Sequence, residues 1–178
     1  ISCFQKRWKW RNKNRQMKNQ APIKRHPAIV SFSKDHHFGL LLVWKIRQGL
    51  GKSVDPVRIS NYVSFYFKED LEKHFEEEEQ LLFCELPVND VLRKQAEADH
   101  QEILKLVRAV TEKKDDTGLL NQLADMLEKH IRFEERELFN HLQTMINADA
   151  LEKIAKRFPS SSKEIDEKWE DVLWEIKK

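Results

Sequence analysis

The sequence predicts an all-α protein: an up-down-up-down antiparallel four-helix bundle with a C-terminal helical extension. Three observations predict it. The 178 residues suffice for one domain with a single core. Four glycines and five prolines against 35% charged residues describe few turns and long solvated helix faces. Apolar residues recur at three- and four-residue steps in four successive stretches, the spacing of one face of a helix.

In the first stretch Ile29, Ser33, His36, Leu40 and Val43 share a face that ends at the Gly49/Gly51 pair. Asp55-Pro56 then reads as an N-cap followed by proline at the first helical position. The stripe Val63, Phe67, Leu71, His74, Glu78, Leu81 continues this second helix to Pro87. Asn89 or Asp90 can cap a third, with Leu92, Ala96, His100, Ile103, Val107 and Val110 on one face up to the turn at Lys113 to Gly118. The fourth carries Leu120, Leu123, Leu127, His130, Glu134, Leu138 and His141. Short connections between helices of this length make sequence neighbours antiparallel.

These elements divide the chain into a basic N-terminal extension over 1–25, a bundle over 26–146 and a C-terminal helical extension over 147–178. In the last, Asn147 to Phe158 reads as a short helix. Ser161-x-x-Glu164 is a capping-box pattern opening a final amphipathic helix with Ile165, Trp169, Val172 and Ile176, a candidate surface for a protein partner. Residues 1–25 hold Lys6, Arg7, Lys9, Arg11, Lys13, Arg15, Lys18, Lys24 and Arg25 and no acid, so the net charge of +2 hides an acidic remainder. Such an arm, with Trp8 and Trp10, suits phosphates electrostatically, but the simpler expectation is a poorly ordered extension, with nucleic acid not expected as a partner. No apolar run reaches the roughly 20 residues of a membrane span and no hydrophobic segment follows the basic start, which predicts a cytoplasmic protein without a transmembrane segment. Cys3 and Cys84 form neither a disulfide framework nor a zinc motif, and Cys84 is expected to be a buried small apolar residue.

Four histidines and two glutamates fall on core-facing positions, where a carboxylate is costly unless it is paired or bound to a metal. His74 with Glu78 and His130 with Glu134 stand four residues apart, on one helix face and about 6 Å along the axis. The segments HFEEEEQLLF (74–83) and HIRFEERELF (130–139) match at His, at both glutamates, at Leu and at Phe. Asp35-His36 matches Asp99-His100, with Leu40 against Leu104 and Val43 against Val107, so the first two helices repeat in the last two. Each half can then donate one lone histidine and one His-x-x-x-Glu pair to a dinuclear site. Imidazole and carboxylate without thiolate suit iron, with manganese or zinc less favoured.

Each residue also has a plainer reading. A lone histidine on an apolar stripe is usually a hydrogen-bonded core residue, and acid runs are usually solvated faces, as expected for Glu76, Glu77, Glu79 and Glu135. It is the duplicated combination that points to metal. His36 is preferred to His37 because it aligns with His100 and continues the stripe. Asp35 and Asp99 are candidates to orient imidazoles if the geometry brings them close. His26 and His141 are expected to be structural or exposed, His141 being a weak candidate to support the site. Gly39 either admits a close neighbour or has no special role.

The pattern Asp-His, His-x-x-x-Glu-Glu-x-x-Leu-Phe, Asp-His, His-x-x-x-Glu-Glu-x-x-Leu-Phe resembles the hemerythrin-like HHE cation-binding family over roughly residues 26 to 146. The resemblance implies metal ligation by His36, His74, Glu78, His100, His130 and Glu134, and a cofactor of two iron ions joined by an oxo or hydroxo bridge. Oxygen-carrying members have a further histidine where this chain has Leu104, so the resemblance is nearer the branch associated with repair of damaged iron centres and with iron or oxygen sensing. The ligand it implies is a small diatomic or peroxide. Ferritin-like di-iron bundles use paired Glu-x-x-His motifs, of which only Glu97 and His100 supply one. An alternative is an iron-responsive interaction module in which metal binding orders the bundle for a partner without chemistry; another is a purely structural bundle. No nucleophile, phosphate loop or organic-substrate site is legible.

Overall fold

The computed structural model describes residues 24–157 and 165–173, all helical or irregular with no strand among them. The basic arm lies outside the described residues except for Lys24 and Arg25, as do Ser161 and Glu164 of the capping-box pattern. Helix α1 spans Pro27–Gly51, with His26 as N-cap accepting from the Ala28 amide and proline in the first turn. Helix α2 spans Pro56–Tyr66, capped by Asp55 through the Val57 amide. A five-residue turn, Phe67–Leu71, follows, closed by the Glu72 N–H donating to the Phe67 carbonyl, and the chain continues as α3, Glu72–Leu81.

Helix α4, Val91–Glu112, is capped by Asp90, whose side chain accepts from the amides of Leu92 and Arg93. Asp90 rather than Asn89 makes the cap, and His141 Nε2 lies 2.8 Å from Asp90 Oδ2, so this histidine ties the fourth helix to the start of α4. Helix α5 runs over Thr117–Phe133 and passes through a second five-residue turn, Glu134–Leu138, into α6, Phe139–Met145. Helix α7, Ala148–Arg157, packs back on α1. The most extensive helix contact is between α1 and α5. Gly39 permits it, since a Cβ there would lie 2.8 Å from Ile131 Cδ1.

Two apolar clusters form the interior. One gathers Leu42, Ile46, Tyr62, Val63, Leu71, Ile103, Val107, Leu123 and Leu127; the other Ile29, Phe32, Leu82, Phe83, Leu138, Phe139 and Leu142. Each such fully buried aliphatic or aromatic side chain contributes about 1.5–3 kcal/mol. Along every helix that enters both clusters, a short polar set separates them: Asp35 and His36 on α1, His74 and Glu78 on α3, Asp99 and His100 on α4, and His130 with Glu134 on the fourth helix.

Beyond α7 the structure departs from the expected final helix. Asp166–Lys168 is a single tight turn and the backbone is extended at Trp169. Tertiary contacts outweigh the helical pattern there. Buried Lys45 donates to Tyr62 Oη at 2.7 Å and pairs with Asp166, Arg58 pairs with Asp171, and the Trp169 ring packs 4.9 Å from Phe65. Leu173, not Val172, is the residue buried. Cys84 is a second correction: it is exposed, because α3 ends at Leu81 and the tight turn at Phe83–Glu85 takes it off the buried stripe.

Candidate metal centre

Helical spacing presents His74 and Glu78 on one face of α3, and His130 and Glu134 on one face of the fourth helix, all buried. Single imidazoles enter from α1 and α4, where His36 and His100 are likewise buried. His37 is exposed, because the next residue lies about 100° further around the helix. His36 Nε2 stands 3.4 Å from Glu78 Oε1 and 3.0 Å from Glu134 Oε2, and His74 Nε2 is 3.4 Å from Glu78 Oε1. His100 Nε2 is 3.4 Å from Glu78 Oε2 and 3.9 Å from Glu134 Oε1, and His130 Nε2 is 3.4 Å from Glu134 Oε2. Glu78 therefore turns one oxygen to His36 and His74 and the other to His100.

All four Nε2 atoms and all four oxygens of Glu78 and Glu134 are buried without a hydrogen-bond partner. Buried polar atoms are normally hydrogen-bonded, so eight converging exceptions require a cause. Their spacing supplies one. Two donors each about 2.1 Å from a shared ion, at octahedral or tetrahedral angles, stand about 3.0–3.4 Å apart. The donor set thus fits cations better than it fits itself, in two overlapping groups: Glu78, His100, His130 and Glu134, and His36, His74 and Glu78.

The other ring nitrogens divide into two hydrogen-bonded atoms, on His36 and His100, and two buried ones without a hydrogen bond, on His74 and His130. His36 Nδ1 lies 2.7 Å from Glu135 Oε1 and His100 Nδ1 2.8 Å from Glu79 Oε1, both true hydrogen-bond distances. His74 Nδ1 faces Asp35 Oδ2 and His130 Nδ1 faces Asp99 Oδ2, each at 3.7 Å. Four carboxylates thus surround the four imidazoles in a two-fold repeating pattern. The reading of Glu79 and Glu135 as solvated face is corrected: a glutamate next to the core position is long enough to reach the imidazole of an adjacent helix. The signal was in the sequence, since the repeat matches at both glutamates. Glu76 is exposed, as expected, and Glu77, half-buried, pairs with Lys73.

The two halves differ beyond this ring. Arg25 pairs with Glu135 and donates to its carbonyl, so the His36 side carries an Arg-Glu-His chain. Burial would raise the Glu135 pKa, but His36 and Arg25 bring it down to about 2. Burial would lower His100, yet Glu78 and Glu79 raise it to about 9. His36 is likewise held well above its ordinary value by Glu134, Glu135 and Glu78 against the effect of burial. Glu78 is held well below the usual range despite its burial, by His74, His100 and His36. Phenyl rings close the layer: Phe75 stacks on His100 at 3.9 Å and Phe139 on His36 at 5.1 Å.

Residues 34–142 match the family model described as hemerythrin HHE cation binding domain. No curated protein and no solved structure matches the chain.

Proposed function

The chain belongs to the hemerythrin HHE cation-binding family, and we propose on that premise that it is a non-heme di-iron protein that binds or senses a small ligand of the O2, peroxide or NO kind. The ligands in this reading are His36, His74, Glu78, His100, His130 and Glu134. One observation carries it: eight buried donor atoms converge without hydrogen bonds, spaced as donors around shared cations are spaced. The set of imidazole and carboxylate favours iron over softer thiolate-seeking ions. Bound there, a pair of irons would supply open coordination positions and redox chemistry for a small ligand.

The protein's own groups orient and protect that site. Glu79 and Glu135 accept from the Nδ1–H of His100 and His36, which leaves each Nε2 as the free lone pair a metal requires. Asp35 and Asp99 face His74 and His130 in the same sense. The rings of Phe75, Phe83 and Phe139 stack against His100 and His36 and exclude bulk water. In this reading the arrangement is an up-down-up-down bundle, because α1 and α4 pass from the Phe32 cluster to the Leu42 cluster while the second and fourth helices pass the other way.

The module reading has one observation in its favour: the donors come from both halves of the repeat, so metal binding would brace the halves against each other. Elemental analysis of protein purified without chelator, with absorption spectra in air and after NO, tests the proposal. About two irons per chain and a ligand-dependent spectrum are expected. Iron without any spectral response would favour the module, and a folded protein free of metal would overturn both.

A further inference from the structure

The chain holds two tyrosines, and they stand one helical turn apart on α2. Tyr62 is 0% and Tyr66 3% exposed. Each phenol donates to a carboxylate: Tyr62 Oη lies 2.7 Å from Asp166 Oδ1, and Tyr66 Oη lies 2.8 Å from Asp70 Oδ2. Packing alone does not call for these hydroxyls. Phenylalanine, used ten times in the chain, flanks Tyr66 on both sides as Phe65 and Phe67. A buried phenol brings a polar group that must be satisfied, and at Tyr66 the partner is a carboxyl group that is itself 5% exposed. The repeat positions of the two tyrosines are Gly118 and Gln122, so the second half of the repeat makes no such pair.

The pair stands in line between the metal layer and the surface. On the inner side Asp70 shares a cavity wall with Asp35 and His74, and Asp35 Oδ2 is 3.7 Å from His74 Nδ1. The two phenol rings are 6.2 Å apart, centroid to centroid, and on the outer side the half-buried ring of Trp169 is 5.5 Å from Tyr62. Both separations are those of aromatic rings in contact. The Asp166 side chain is 42% exposed, so the outer carboxylate can exchange a proton with water. Lys45 Nζ stands 4.9 Å from the Tyr62 ring centroid, where its charge opposes loss of an electron, but Asp166 pairs with it and offsets that charge.

We propose that Tyr66, Tyr62 and Trp169 form a redox relay that passes single electrons from the surface to the metal layer when O2 is reduced there. The inference rests on the di-iron reading. Phenol and indole give up one electron far more readily than the phenyl ring of phenylalanine. Burial and the facing carboxylates hold both phenols well above their ordinary pKa, so each is a full hydroxyl at rest and loses its proton with the electron. The proton acceptors are already in place, at hydrogen-bond distance. Reduction of one O2 to two waters takes four electrons and four protons. The ferrous-to-ferric change of an iron pair accounts for two of the electrons and Tyr66 and Tyr62 for the other two, while the four protons come from solvent. Each phenolic O–H breaks, its proton passes to Asp70 or Asp166, and a neutral phenoxyl radical is left. A one-electron donor of the ascorbate or hydroquinone class, meeting Trp169 at the surface, returns the electrons, and the protons go back from the carboxylates to the phenols.

The test uses full-length protein loaded with ferrous iron, mixed with O2 without added reductant and frozen, with iron measured by elemental analysis and radicals by electron paramagnetic resonance. Wild type should give a phenoxyl signal that narrows when the protein is made with ring-deuterated tyrosine. Tyr66→Phe should lose that signal while keeping the wild-type iron content and its oxidation in air. Tyr62→Phe and Trp169→Phe should each keep the signal and slow its decay on addition of ascorbate, and they decide the question if Tyr66→Phe folds poorly. Wild-type protein that holds and oxidises two irons without a tyrosine radical, a signal that survives Tyr66→Phe, or an unchanged ascorbate response in both outer variants would overturn the relay and leave the di-iron reading standing. Wild-type protein without iron would overturn the di-iron reading itself, and this inference with it.

Discussion

His36 is held by two consecutive glutamates of the fourth helix, one on each ring nitrogen: Glu135 Oε1 lies 2.7 Å from Nδ1 and Glu134 Oε2 lies 3.0 Å from Nε2. The first contact is a hydrogen bond and the second is not, since neither Nε2 nor the Glu134 oxygens have a hydrogen-bond partner. Neighbouring glutamates therefore have separable roles, which substitution can distinguish.

Glu78→Ala and Glu134→Ala should each lower metal content at least about tenfold, because each removes two donor oxygens from the buried set. Glu77→Ala should leave it at the wild-type level, since Glu77 only pairs with Lys73 on the surface of α3. Elemental analysis of the three purified variants checks this. Equal loss in all three would mean that the helical register assigned to α3 is wrong.

Glu135→Gln and Glu79→Gln keep length and shape but remove the carboxylate charge behind His36 and His100. Metal affinity should fall about 10- to 100-fold, the usual effect of losing a partner behind a ligating imidazole. Glu76→Gln, on the exposed face, should have no effect. Competition titration against a chelator measures all three, and a Glu135→Gln affinity equal to wild type would leave Glu135 with no part in the site.

Protein stripped of metal by a chelator should lose stability as pH rises from 6.5 to beyond 9. Burial disfavours charged His100, but Glu78 and Glu79 outweigh it and raise its pKa from 6.5 to about 9 in the fold. A raised folded pKa stabilises fully below the unfolded value and is lost as pH climbs through the folded one. Thermal melts across this range should show a falling midpoint in the stripped protein and a flatter profile after iron loading. A flat profile in the stripped protein would count against charged imidazole as a stabilising group.

At the Lys45 end, Asp166→Ala removes an acidic partner from a lysine that is 2% exposed. Loss of a hydrogen bond to a buried charge costs about 1.5–3 kcal/mol. Urea melts should show that loss, and limited proteolysis should cut faster within 165–173, which Asp166 ties to α1. An unchanged midpoint would mean that Trp169 and Leu173 hold the segment without it.

The reach of the sequence is clearest on α1 and α3. The stripe through Ile29, His36 and Val43 and the pair His74 and Glu78 were legible because helical period alone decides which residues share a face. The same rule puts His36 on the buried stripe and His37 off it, and in the fold His36 is buried and His37 exposed. It could not place Glu79 and Glu135, whose importance depends on how near the next helix passes. Nor could it foresee the irregular path of Ile165 to Leu173, where an amphipathic pattern yields to ties with Lys45, Arg58 and Phe65.

By itself the sequence determined the helical class, the repeat of two halves and the six core-facing histidines and glutamates, since these follow from spacing along one chain. Only the tertiary structure decided which carboxylate stands behind which imidazole and that Gly39 meets Ile131. The physical reason is that periodicity fixes the direction in which a side chain leaves its helix, whereas contact depends on the separation and offset of helices far apart in the chain.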